Sequence, residues 1–221
     1  VNADEIDIAH TPAHPLWRPF DPAATLDRRS RRIASRQVDV DGVVPFDPAW
    51  ADRYEKVRRL LIGALPGRVL RVDHVGSTAV PGLAAKPILD VDLTVEDSSD
   101  EASYLPALEA AGFRLIARDS AWEEHRCLTY ADPNSNVHVF SPGAIEPQRH
   151  LLFRDWLRRD DHDRERYGAL KLFLAGRGFD ADTDYNGRKA ALVYEIYEHA
   201  FAHEPRFPHR AGSRSRAQLA D

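Results

Sequence analysis

Residues 74–92 concentrate the groups best suited to a phosphate: His74-Val75-Gly76-Ser77-Thr78-Ala79-Val80-Pro81-Gly82-Leu83-Ala84-Ala85-Lys86-Pro87-Ile88-Leu89-Asp90-Val91-Asp92. A Gly-Ser-Thr turn at a strand exit, turning helical from Ser77, aims free backbone N–H groups and the hydroxyls of Ser77 and Thr78 at one small volume, which suits a phosphate. Gly76 would permit close approach. This is not a P-loop, because five residues separate Gly76 from Gly82 and Lys86 lies four beyond the second glycine. His74, just ahead of the turn, is placed to orient it, to meet a phosphate, or to pack at a strand end.

Asp90 and Asp92 sit at i and i+2 on a strand whose other face is aliphatic, so both carboxylates leave one face about 7 Å apart. Hard divalent cations take carboxylate and phosphate oxygens. A pair of Mg²⁺ ions here would clamp the attacking and leaving oxygens of a phosphoryl or nucleotidyl transfer. A half-exposed strand with two solvated aspartates shows the same spacing. Cations able to neutralise a polyphosphate are Lys86, Arg126, Arg154, Lys171 and Lys189, each of which also reads as an ordinary surface charge.

The elements that must hold these groups follow from periodicity. Asp47-Pro48 starts a helix over about 48 to 65, with Trp50, Tyr54, Val57, Leu60, Leu61 and Leu65 at helical spacing, and Pro66-Gly67 ends it. Arg68 to Val75 and Pro87 to Val95 read as strands on either side of the turn. The second alternates, with Leu89, Val91, Leu93 and Val95 opposite Ile88, Asp90, Asp92 and Thr94. A helix from about Glu101 to Ala111 leads to three short strands, at 113–117, 125–131 and 136–140, the last two an antiparallel pair. From Glu146 onward the pattern is helical, with Trp156, Tyr194 and Tyr197 read as core.

Composition bounds the rest. With 221 residues, 43% hydrophobic and 29% charged, the chain suits one globular domain with loose ends and is neither fibrous nor wholly disordered. Apolar runs such as Leu60 to Leu65 fall far short of the ~20 residues of a membrane span. The single cysteine, Cys127, allows no intramolecular disulfide or Cys-based zinc site, and the first thirty residues lack an apolar signal core, so a cytoplasmic protein is expected. A net charge of −5 argues against a grip on bulk nucleic acid or an anionic membrane. Residues 1–43, rich in proline and carrying Arg28-Arg29-Ser30-Arg31-Arg32, read as a tail or a loosely docked, flexible arm; 44–202 as the folded domain; and 203–221 as a disordered tail.

A Gly-Ser turn followed 13 residues after its serine by Asp-x-Asp on a strand resembles the layout of the nucleotidyltransferase (polymerase β-like) superfamily. The run from His74 to Asp90 resembles the signature of the GrpB-like family within it. Phe153-Arg154-Asp155-Trp156-Leu157-Arg158, Tyr167 with Leu170-Lys171, and Tyr185 with Lys189 extend the resemblance over about 44 to 202. It implies an α/β (α+β) nucleotidyltransferase-like fold: a mixed sheet flanked by helices, with a C-terminal helical segment. It also implies a nucleoside triphosphate or other phosphorylated small molecule at His74, Gly76, Ser77, Thr78, Lys86, Arg154 and Lys171, with Mg²⁺ or Mn²⁺ on Asp90 and Asp92. The acceptor is left unnamed. Family members also occur fused to dephospho-coenzyme A kinases in actinobacteria, so a non-catalytic nucleotide-binding or regulatory module stands beside a metal-dependent nucleotidyltransferase as an expectation.

The third metal-binding carboxylate of the superfamily comes from a later strand, which here reads Asn136-Val137-His138-Val139-Phe140 and holds no acid. GrpB-like members tend to carry His-x-His at this place, so His138 matches and Asn136 departs. Alternation turns Val137 and Val139 to the core and His138 toward Asp90 and Asp92, as a third candidate catalytic residue. A neutral imidazole suits Zn²⁺, Mn²⁺ or general-base work better than Mg²⁺. A hydrogen-bonded structural histidine is the alternative.

Overall fold

Trp50, Val57 and Leu61 are buried along one face of the first helix, α1 (Ala49–Ala64), as their spacing predicts. Asp47 accepts the amide of Ala49 at 2.9 Å ahead of the helix. The computed structural model describes residues 14–18, 31–40, 42–176 and 182–204, and side chains of the last helix from 188 onward. After α1 come β1 (Arg71–Val75), a single 3-10 turn (Ser77–Ala79), β2 (Leu89–Thr94), α2 (Glu101–Ala110), β3 (Arg114–Asp119), β4 (His125–Tyr130) and β5 (Ser135–Phe140). Three helices close the domain: α3 (Ile145–Arg159), α4 (Asp161–Gly176) and α5 (Asp182–Ala202).

The strands form one mixed sheet in the order β1-β2-β5-β4-β3, with β2 and β5 parallel and the other pairs antiparallel. Alternation divides its faces. Leu89, Val91 and Leu93 of β2, with Val137 and Val139 of β5, are buried with Trp50 and Leu61 of α1 and Tyr104 and Leu108 of α2. Truncating a fully buried leucine there, such as Leu61→Ala, costs roughly 2–5 kcal/mol. The opposite face carries the polar members of the same strands. Its neighbours are the C-terminal helices, whose own cluster joins Val80 and Leu83 to Trp156, Leu157, Tyr167, Ile196 and Ala200. This is the expected α+β arrangement with a helical C-terminal segment.

The N-terminal segment expected to be a flexible arm is docked wherever it is described. Arg32 bridges Ala117 on the outer edge of β3, Ile33 donates its amide to Ile116 at 2.8 Å, and Arg31 pairs with Asp119. Further back, His14 is buried and stacks on Phe201, and Trp17 donates to Glu198 at 2.9 Å. Periodicity misses such contacts because single anchors repeat at no interval, whereas an unpaired sheet edge accepts any extended segment. Arg28 to Ser30, the side chain of Tyr185 and the tail from 205 lie outside the described residues. No helix among the described residues is long and apolar enough to cross a membrane.

Candidate functional site

The turn after β1 and the acidic strand β2 meet at Gly76. Its φ of 66° and ψ of −168° lie where only glycine is at ease. A Cβ there would sit 2.9 Å from the Cβ of Asp90 and 3.0 Å from its Cγ. The close approach that the sequence assigned to a ligand is thus taken, on this side, by the Asp90 carboxylate. His74 and Thr78 are both buried and hydrogen-bonded to each other at 3.0 Å, with the imidazole stacked on Tyr54 at 4.6 Å. Burial pushes His74 down to about 4, so it is neutral at neutral pH and braces the turn. Arg154 donates to the His74 carbonyl at 2.9 Å, and Ser77 stands close enough to Tyr167 to temper its hydroxyl. Burial raises the Tyr167 hydroxyl to about 12, leaving it a neutral partner.

Parallel register sets Asp90 beside Asn136 and Asp92 beside His138, so all four project from one face. Their surroundings differ. The Asp90 side chain is 34% exposed and accepts a hydrogen bond from Asn136 Nδ2 at 2.8 Å, with His138 Nε2 3.8 Å away. Burial would raise its pKa, but His138, Asn136 and Lys189 outweigh that and hold the carboxyl below its ordinary range. Asp92 is 1% exposed and is covered by His150, whose Nδ1 lies 2.9 and 3.2 Å from the two carboxylate oxygens. Burial alone would lower His138, yet the neighbouring Cys127 side chain and the carboxylates of Asp90 and Asp92 carry it well above its ordinary value. Its Nδ1 is 3.0 Å from His125 Nε2, so the ring is fixed by a neighbour as well as facing the acids.

The cations separate into groups. Lys171 of α4 is 2% exposed, lies 4.6 Å over the Tyr167 ring, and its ammonium has no hydrogen-bond partner among the described residues. Burial, aided by Lys189 and opposed by Asp90, lowers it to about 7. Lys86 is half-buried in the loop before β2. Arg126 is not at the site, being held by Glu101 at 2.7 Å and Glu124 at 3.1 Å.

The turn, the acidic pair, His138, Arg154 and Lys171 therefore converge, while sequence reasoning missed His150, His125 and a role for Asn136. A signal for His150 was available. It precedes Arg154 by four residues and Arg158 by eight, one face of a helix, and Arg158 donates to the Ala79 carbonyl at 2.8 Å. A second acidic cluster, Asp160, His162 and Asp163, belongs to the fold. Asp160 caps the Asp163 amide at 2.8 Å, and Asp163 accepts from Trp156 and His199, each at 2.7 Å. A further guanidinium, that of Arg36, reaches Asn136 from the N-terminal segment.

Comparison with known proteins shows the relatives of the chain as a whole. The family model described as GrpB protein matches residues 42–199. A UPF0157 protein of Halalkalibacterium halodurans is 41% identical over 160 residues, 72% of this chain and 82% of that protein. A dephospho-CoA kinase of Mycolicibacterium paratuberculosis is 34% identical over 199 residues, 78% of this chain but 48% of the kinase. The crystal structure of the conserved protein GrpB from Enterococcus faecalis superposes with a TM-score of 0.64 at 31% identity, over 72% of this chain and 96% of that one.

Proposed function

This chain belongs to the GrpB family, and from that premise we propose that it binds a nucleoside triphosphate, or another phosphorylated small molecule, between the Gly76-Ser77 turn and the Asp90-x-Asp92 strand. The observation that carries this reading is Lys171. A buried ammonium with no hydrogen-bond partner among the described residues is costly unless an anion completes it. Lys171 lies over the ring of Tyr167, and the charges that act on it are those of Lys189 and Asp90. In this reading the turn amides and Ser77 hold phosphate oxygens, Lys171 and Arg154 neutralise them, and His74 and Thr78 keep the turn in shape.

The donors for a divalent cation would be Asp90, which is partly open, and Asp92 on the same face, with His138 3.8 Å from Asp90 and His150 2.9 Å from Asp92. These are of types that Mn²⁺ takes at least as well as Mg²⁺, and an ion would have to draw them together, since they do not lie as a closed ligand set. Asp90 and Asp92 would hold it, with His138 giving up its proton to ligate or staying charged beside the phosphate. Such an ion would supply charge neutralisation on the transferring phosphoryl oxygens.

A second reading, a nucleotide-binding or assisting module without turnover, is favoured by Asn136. An amide stands where the superfamily resemblance calls for a carboxylate, and its N–H₂ is spent on Asp90. A relative named dephospho-CoA kinase that matches this chain over less than half its length is compatible with an assisting role. A nucleotide screen by thermal shift with and without Mg²⁺ or Mn²⁺, followed by pyrophosphate release on the hits, separates the readings. Shift with release supports the transferase and shift alone supports the module. Absence of any shift across nucleotides and other phosphorylated metabolites contradicts both.

A further inference from the structure

We infer that Arg36 is a positioning residue of this site: carried in by the segment that precedes the family-matched region, it fixes the side-chain amide of Asn136 so that the N–H₂ group faces Asp90. The functional consequence rests on the reading of Asp90 as a ligand-holding carboxylate; the geometry does not. A guanidinium has donors and no acceptor. Arg36 directs Nη1 at Asn136 Oδ1 and Nη2 at Asn134 Oδ1, the latter at 2.8 Å. With its oxygen committed to a cation, Asn136 has only N–H₂ to offer on its other side, where Nδ2 meets Asp90 Oδ1 at 2.8 Å. A flipped amide would set oxygen against carboxylate and N–H against guanidinium, two repulsive contacts in place of two hydrogen bonds.

Several anchors keep the guanidinium in place. Arg32 is bridged to Ala117, Gln37 donates to the Gly112 carbonyl at 3.0 Å and accepts from Thr129 at 3.3 Å, and Asn134 returns a bond to the Val38 carbonyl at 3.4 Å. Residues 32–38 thus form a strap from the edge of β3 to the end of β5 at which Asn134 and Asn136 lie. The family match begins at 42, so the strap is outside it. Its effect falls on Asp90 through Asn136: one carboxylate oxygen is held by the amide, which sets the plane in which the other meets a ligand.

The experiment uses the full chain. The Asn136 side-chain amide is identified in ¹H–¹⁵N spectra by its loss in Asn136→Ala. In the wild type its two protons are expected to be resolved and slow to exchange. Arg36→Ala should speed that exchange on the order of ten-fold or more, as expected for losing a charge-assisted bond, and Arg36→Lys should restore part of it, because one ammonium still donates to Asn136 Oδ1. Titration with Mn²⁺ alone then tests the consequence: Arg36→Ala should weaken binding on the order of ten-fold, and should add nothing in an Asn136→Ala background. Unchanged amide exchange in folded Arg36→Ala, or an equal loss of Mn²⁺ affinity in both backgrounds, overturns the inference. Wild-type protein that binds no Mn²⁺ counts against the metal reading, while the amide signature still decides the role of Arg36.

Discussion

Replacing Lys171 by methionine should make the ligand-free protein more stable while removing its affinity for a phosphorylated ligand. The folded protein lowers Lys171 from an ordinary 10.5 to about 7, and the side chain is almost wholly buried. Its folded pKa lies below the unfolded one, so between these values the unfolded chain binds more protons, and stability rises with pH across that window. The penalty is fully present below about pH 7 and is relieved as pH climbs toward 10.5. At pH 7 it amounts to roughly 4 kcal/mol, and methionine keeps the aliphatic packing without it. For a chain of this size, that is a rise in Tm on the order of 8–16 °C. Urea unfolding followed by tryptophan fluorescence at pH 7, 8, 9 and 10 measures the effect. The advantage of Lys171→Met should shrink at each step. A variant equal to or less stable than the wild type at pH 7, with a difference that does not depend on pH, would show that Lys171 is charged and satisfied within the fold, and the argument for an anion site would fail.

Gly76→Ala should destabilise the domain by at least about 2 kcal/mol, from a backbone region closed to alanine and a Cβ driven onto Asp90, and thermal unfolding against a control such as Gly63→Ala, where nothing lies within 4 Å, reads the difference. Because His74 falls from 6.5 to about 4 on folding, the stability it permits is complete above pH 6.5 and is lost as pH drops through 4; a His74→Gln protein should escape roughly 3 kcal/mol of that loss in acid unfolding curves. Deleting residues 1–40 should lower stability measurably, since it strips the Trp17 bond to Glu198 and the edge pairing at Ala117, whereas an arm that is merely appended would leave the urea midpoint unchanged. Asp92→Asn should perturb His150 more than Asp90→Asn does, visible as a shift of the His150 imidazole resonances, because of the two acids it is Asp92 that hydrogen-bonds to that ring, at 2.9 Å.

Much of the fold was legible because its elements repeat. The alternation from Leu89 to Val95 and the helical spacing of Trp50, Val57 and Leu61 describe buried faces directly, and the structure keeps both. The acidic pair, the turn and His138 were legible as a set because the chain places them on a strand exit and two strands that pair in parallel register. What periodicity does not encode is which long-range partner each group finds. Nothing local to Asp92 announces His150, 58 residues away, and nothing near Asn136 announces Arg36, 100 residues away. Which surfaces the arm docks on is hidden from the sequence for the same reason. At Gly76 the sequence shows a place of close approach but not its neighbour in the fold, which is Asp90.

The central claim is tested most directly by isothermal titration of a nucleoside triphosphate, with Mn²⁺ present, into wild-type protein and into Asp90→Asn/Asp92→Asn, each also measured without metal. The account predicts saturable binding to the wild type that is strengthened by Mn²⁺, and residual binding to the double variant that no longer responds to the metal. Folded double variant that binds as the wild type does, with the same dependence on Mn²⁺, would contradict it.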